Sequence, residues 1–94
     1  MVMHIFFWIM KDNSIRDEAA ALLQEKFKAL LGVVEGLEEI EAGAPADADY
    51  DLVLYSAFRD WEALEGYQQH PAHIAIKEII HALVCDRCCC DYEV

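Results

Sequence analysis

Two groups of side chains in this 94-residue chain have types and spacing that could do chemistry. The first is Tyr67-Gln-Gln-His70-Pro71-Ala72-His73, with His4 standing alone in an apolar opening run. A histidine, whose ordinary pKa is about 6.5, can take a proton at neutral pH. A tyrosine hydroxyl can donate to an oxygen on which charge develops. His70 and His73 also have a spacing found in metal sites, but no third ligand is evident nearby. The second group is Cys85, Cys88, Cys89 and Cys90. Cys85-x-x-Cys88 matches the spacing of zinc and redox pairs. The same stretch reads as a strand, where those two side chains point to opposite faces. Cys88 and Cys90 share a face at about 6.5–7 Å, the limit of disulfide reach. All four are therefore expected to be reduced and to pack as small hydrophobes. No metal and no cofactor are expected.

Seven elements must position these residues. Val2 to Met10 reads as a strand with two apolar faces: Val2, Phe6, Trp8 and Met10 against Met3, Ile5, Phe7 and Ile9. A helix is predicted from about Ser14, capped by Asn13 or Ser14, to Leu31. Its apolar stripe is Ile15, Ala19, Leu22, Leu23, Phe27, Leu30 and Leu31, and Gly32 and Gly36 close the region. Leu37 to Ala42 is a short acidic edge strand with little to bury, and Gly43 to Asp49 a loop. Glu35, Glu38, Glu39 and Glu41 make that edge a solvated one. Tyr50 to Phe58 is a strand with two apolar faces. Asp60 caps a short helix whose core face is Trp61 and Leu64. Pro71 opens a further helix with Ala72, Ile76, Ile79, Ile80 and Leu83 buried, His73 at the border of that stripe and His81 toward solvent. Cys85 to Val94 is the last strand.

The order β-α-β-β-α-α-β fits one domain over residues 1–94, a ferredoxin-like α+β sandwich with helices on one face of a four-stranded antiparallel sheet. Its other sheet face is apolar and uncovered. A second copy laid sheet to sheet would bury it, so a homodimer is expected. Seven Lys+Arg against 18 Asp+Glu give a net charge of −11. Such a surface repels phosphate backbones and anionic lipid, so nucleic-acid and membrane partners are not expected. The apolar opening run spans nine residues and lacks the flanks of a signal peptide. Clustered rather than dispersed cysteines point to a reducing, cytoplasmic setting.

The stretch from Tyr67 to His73, followed by a helix and then Asp86-Arg87-Cys-Cys-Cys-Asp91-Tyr92, resembles the stress-responsive α/β-barrel (Dabb) family. Asp51 to Phe58, His4 in the first strand and the closing Asp91-Tyr92-Glu93 share the resemblance, which covers essentially the whole chain. It implies a dimer of ferredoxin-like units closing two sheets into a barrel, with a small-molecule pocket between each sheet and its helices. A plant polyketide cyclase of that family runs a cofactor-free aldol-type condensation. By that resemblance His73 would be the catalytic base, with Tyr67 and His4 beside it. Phe27 falls where that enzyme carries a second tyrosine, so no hydroxyl is available there. Phe6, Trp8, Phe27 and His70 are the expected binding residues. Three readings stay open for the cluster: acid/base catalysis, binding without chemistry, and a polar tie between helix and sheet.

Overall fold

Alternation along the first strand, β1 (Val2–Met10), turns Val2, His4, Trp8 and Met10 inward, while Met3, Ile5, Phe7 and Ile9 stay partly exposed on the opposite face. The same alternation recurs in β3 (Leu52–Phe58), where Leu52, Leu54, Ser56 and Phe58 are buried with β1's inner set. β2 (Leu37–Gly43) and β4 (Val84–Glu93) flank them, giving the antiparallel order β2-β3-β1-β4. The computed structural model describes residues 1–46 and 49–94. Asp47 and Ala48, in the loop expected at Gly43 to Asp49, lie outside the described residues.

Three helices cover the inner face: α1 (Arg16–Lys28), α2 (Trp61–Gln69) and α3 (Pro71–Leu83). The result is the ferredoxin-like α+β sandwich that the element order implies. Leu23 and Phe27 of α1, Leu64 and Tyr67 of α2, and Ile76 and Ile80 of α3 meet Trp8, Leu52, Leu54 and Phe58 in one core. Burying a Leu, Ile or Phe side chain contributes about 1.5–3 kcal/mol each, so this contact layer supplies most of the drive to fold. No helix among the described residues is long and apolar enough to cross a membrane.

Several local expectations are corrected. The chain enters α1 through a 3₁₀ turn, Asn13–Ile15, capped by Asp12, whose carboxylate accepts from the Ser14 N–H at 3.0 Å. The helix proper starts later and has no side-chain cap at Ile15. Only part of the expected stripe is buried: Ala19, Leu23, Phe27 and Leu30 are, with Ala20 added, but Ile15, Leu22 and Leu31 are exposed. The helix ends at Lys28 and unwinds through turns toward Gly36, so Leu31 leaves the helical register. Leu37 and Ile40 of β2 are buried, because α1 crosses over that edge.

Trp61 is 47% exposed rather than core. Its indole N–H donates to Glu93 Oε1 at 3.1 Å, tying α2 to the end of β4. α2 starts as expected, with Asp60 accepting from the Ala63 N–H at 2.8 Å. α3 passes into β4 without an intervening residue: Leu83 ends the helix and Val84 begins the strand.

β4 also corrects the cysteine expectation. It is a sheet edge, and in the single chain all four cysteines are free and exposed rather than packed away. The β1–β4 register sets Cys89 opposite Phe6, on the helix side. Cys88 and Cys90 lie opposite Phe7 and Ile5, on the uncovered side.

Candidate functional site

Between α3 and the β1–β4 half of the sheet lies a cavity of about 510 Å³. That is within the range, roughly 300–1,000 Å³, of small-molecule sites. Phe6 and Trp8 form its floor, with ring centroids 5.0 Å apart and planes inclined by 16°. Phe27, Leu54 and Ile80 complete an apolar wall. One end is polar, and there His4, Tyr67 and His73 converge.

His4 is held from both sides by its strand neighbours. It pairs with Ser56 across β3 and with Asp91 across β4. The Ser56 hydroxyl donates to the His4 carbonyl at 2.9 Å, fixing the backbone. The His4 ring, 3% exposed, donates from Nδ1 to Asp91 Oδ1 at 2.5 Å. The carboxylate can only accept while ionised, so it fixes which ring nitrogen carries the proton and how the ring faces the cavity.

Tyr67 comes from the last turns of α2, and His73 from the first turn of α3. The His70-Pro71 corner folds one helix back on the other. The His70 N–H donates to the Tyr67 carbonyl at 3.1 Å, and His70 Nδ1 accepts from the Ala72 N–H at 3.1 Å. His70 is thus the N-cap of α3. It borders a separate shallow depression and does not line the cavity, unlike the other expected binding residues, Phe6, Trp8 and Phe27.

The corner brings the Tyr67 and His73 rings to 4.1 Å between centroids, with the His4 ring edge-on at 6.0 Å from Tyr67. His73 Nδ1 donates to the Gln68 carbonyl at 3.4 Å, leaving the Nε2 lone pair free. Burial, ahead of nearby Lys77, His4 and His70, holds His73 below the ordinary histidine pKa, so the ring is neutral at pH 7. Burial raises Tyr67 far above the ordinary tyrosine value, so it remains a hydroxyl. That hydroxyl is fully enclosed and has no hydrogen-bond partner among the described residues. At this end of the cavity an enclosed O–H donor therefore lies beside a neutral ring acceptor.

Sequence reasoning missed Asp91 and Ser56 as the pair that position His4. Cross-strand register, which a single sequence does not carry, brings them there. It also set His81 toward solvent. The residue is exposed, but it borders the cavity mouth with Lys77 and Arg87. Cys89 lines the cavity too, and its thiol pKa is pushed up to about 11, first by burial and then by the Asp91 charge. It is a thiol at neutral pH and a poor nucleophile. His4, Cys89 and Asp91 bring three ligand atoms within 4.8 Å of one another. They could hold a divalent ion at the cost of the His4–Asp91 hydrogen bond.

This geometry defines a ferredoxin-like protein with a polar-ended pocket beneath its last helix. The chain belongs to the stress responsive A/B barrel domain (Dabb) family, whose model matches residues 2–94. It is 35% identical over 79 residues to an uncharacterised Streptomyces coelicolor protein, SCO4036, covering 80% of this chain and 81% of that one. Among solved structures it is similar to a dimeric Bacteroides fragilis protein of unknown function with a ferredoxin-like fold. The TM-score is 0.87 at 26% identity, with 99% of this chain and 95% of that one covered. A dimeric ferredoxin-like protein of unknown function from Thermobifida fusca gives a TM-score of 0.82 at 22% identity, covering 99% and 90%.

Proposed function

We propose that this protein binds a small carbonyl compound, of the polyketide-like class, in the cavity beneath α3. The observation that carries the reading is the hydroxyl of Tyr67, a cavity-lining residue, which is enclosed and has no hydrogen-bond partner among the described residues. A buried hydroxyl left unpaired costs about 1–3 kcal/mol. A cluster whose only task was to tie helix to sheet would satisfy its own donor. A ligand oxygen accepting from Tyr67 recovers that energy on binding.

A catalytic reading follows from the free Nε2 of a neutral His73 beside that hydroxyl. With a carbonyl oxygen on Tyr67, His73 takes a proton from the adjacent carbon. The resulting enolate attacks a second carbonyl carbon of the same molecule, forming a C–C bond. The alkoxide so formed recovers the proton from the histidinium. The cycle is an aldol-type closure that consumes no cofactor, and His4, held by Asp91, borders the developing charge.

The uncovered sheet face, with Met3, Ile5, Phe7, Ile9 and Val53 partly exposed, is read as the homodimer interface. The dimeric state of the similar solved proteins supports it. Four free thiols support a cytoplasmic location.

Native mass spectrometry against a panel of small diketones and aryl ketones tests the binding claim. One ketone retained by the wild type and lost in Tyr67→Phe is the expected result. Equal retention by both proteins, or none by the wild type, would remove the carbonyl reading.

A further inference from the structure

The far end of the same cavity has a different chemistry. Lys77, His81 and Arg87 border its mouth. The chain has only seven Lys+Arg against 18 Asp+Glu, yet two of the seven stand here, and no Asp or Glu lines the cavity among the described residues. Two of the chain's other cations are paired: Arg16 with Asp17 and Arg59 with Asp60. Among the described residues neither Lys77 nor Arg87 has a carboxylate partner.

The positions along both walls separate this charge from the Tyr67 end. Asp91 pairs with His4 and Arg87 with Trp8, so Arg87 is four strand residues away, about 13 Å. On α3, His73 to Lys77 is four residues, about 6 Å along the axis, and His73 to His81 is eight, about 12 Å. Helix and strand run in opposite directions from their shared Leu83–Val84 junction, so Lys77 and His81 lie on the junction side of His73, and Arg87 on the junction side of Asp91. Phe6 lies between the two levels, and its ring is near-parallel to that of Trp8, the strand partner of Arg87.

We infer that the ligand is a flat keto acid, with a carbonyl oxygen on Tyr67, an aromatic or conjugated body against Phe6 and Trp8, and a carboxylate on Lys77 and Arg87. The inference rests on the carbonyl-binding reading above and adds the charge and length of the molecule. A guanidinium and an ammonium suit a carboxylate through charge-assisted hydrogen bonds. A single carboxylate also meets less repulsion from a chain of net charge −11 than a polyphosphate would.

Calorimetric titration with three probes separates the two claims. The probes are 6-acetyl-2-naphthoic acid, its carboxamide, which keeps the ketone, and 2-naphthoic acid, which keeps only the carboxylate. The wild type should bind the keto acid at least tenfold more tightly than the keto amide. The double variant Lys77→Gln/Arg87→Gln should lose at least tenfold for both acids and stay within twofold for the amide. Tyr67→Phe should weaken the two ketones and leave 2-naphthoic acid unchanged. Equal wild-type affinity for acid and amide would overturn the keto-acid assignment while leaving the carbonyl reading standing. Acid selectivity with no effect of Tyr67→Phe would overturn the carbonyl reading, and with it the keto-acid assignment, while leaving a carboxylate site at the mouth. No binding of any probe at millimolar concentration overturns both. Melting temperatures of the variants within a few degrees of the wild type show that the fold is retained. If the double variant unfolds, Arg87→Lys, which keeps the charge, should retain acid selectivity, and its loss there counts against the assignment.

Discussion

The rings of Tyr67 and His73 lie 4.1 Å apart, tilted by 33°, yet only His73 has a hydrogen-bond partner of its own. Tyr67 is fully buried, and its hydroxyl has no partner among the described residues. Tyr67→Phe should therefore stabilise the ligand-free protein by about 1 kcal/mol, since it removes an unpaired buried donor. For a domain of this size that corresponds to a rise of about 4–8 °C in melting temperature. The same variant should lose ketone binding. A marked fall in melting temperature would mean that the hydroxyl supports the fold.

His73 and His70 are three residues apart and should behave differently. His73→Ala removes the cavity's free base, and a general base contributes about 10²–10⁴-fold to rate. If a cyclisation is found, its rate should fall by at least that order with little change in melting. His70→Ala removes the cap on the Ala72 N–H and should cost about 0.5–1 kcal/mol of stability while sparing the chemistry. Equal, small effects in both assays would make the cluster architecture.

Burial holds His73 below the ordinary 6.5. The neutral ring is the base, so activity should be flat near pH 7 and fall only on acidification below pH 6.5. Stability should move the same way. An unfolded chain takes up the proton near pH 6.5, before the folded one does, so stability is full above that value and declines as pH drops through the lowered folded pKa. In His73→Ala this component of the acid sensitivity should be gone. An acid limb centred above pH 6.5 would contradict the burial argument.

Gly32 and Gly36 have nearly the same left-handed backbone, φ +83° and +81°. Alanine costs about 1–2 kcal/mol in that conformation at either position. At Gly32 a Cβ meets nothing, whereas at Gly36 it overlaps the Ala63 Cβ of α2. Gly36→Ala should thus be distinctly the more destabilising by chemical denaturation. Equal midpoints would show that α2 does not press on this turn.

Val53 pairs with Phe7 on the uncovered sheet face. Val53→Asp should give monomer or aggregate by sedimentation, since burying an unpaired carboxylate between two apolar sheets is strongly unfavourable. A variant that sediments like the wild type would move the dimer contact elsewhere.

Much of this molecule is readable from residue order. Two-sided apolar runs at Val2–Met10 and Leu52–Phe58 mark central strands, and Asp60 and His70-Pro71 mark where α2 and α3 begin. What is not readable is decided by neighbours distant in sequence. Leu22 repeats at helical spacing yet faces water, because α1 lays only one narrow side on the sheet. Trp61 has a core residue's composition but reaches Glu93 instead. His4 and Asp91 stand 87 residues apart, and only the pairing of β1 with β4 makes them one unit. The cavity itself is a property of packing, since no pattern in Lys77 or Arg87 says that they border the same opening.

The direct passage from α3 into β4 leaves one residue of slack, a bulge at Cys85, since Met10 pairs with Val84 and Ile9 with Asp86. Arg87, Cys89 and Asp91 face the helix side, while Cys88, Cys90 and Tyr92 face the other. A strand alternates with a period of two, so a one-residue slip exchanges the two sets wholesale. Deletion of Cys85 would close the bulge and leave Arg87 and Cys89 on the cavity side, whereas an odd step that no bulge absorbs would turn them outward and point the outer residues in. The bulge thus acts as a buffer for drift in the length of this junction: it can give up its one extra residue, while an odd step beyond it rewrites both surfaces at once.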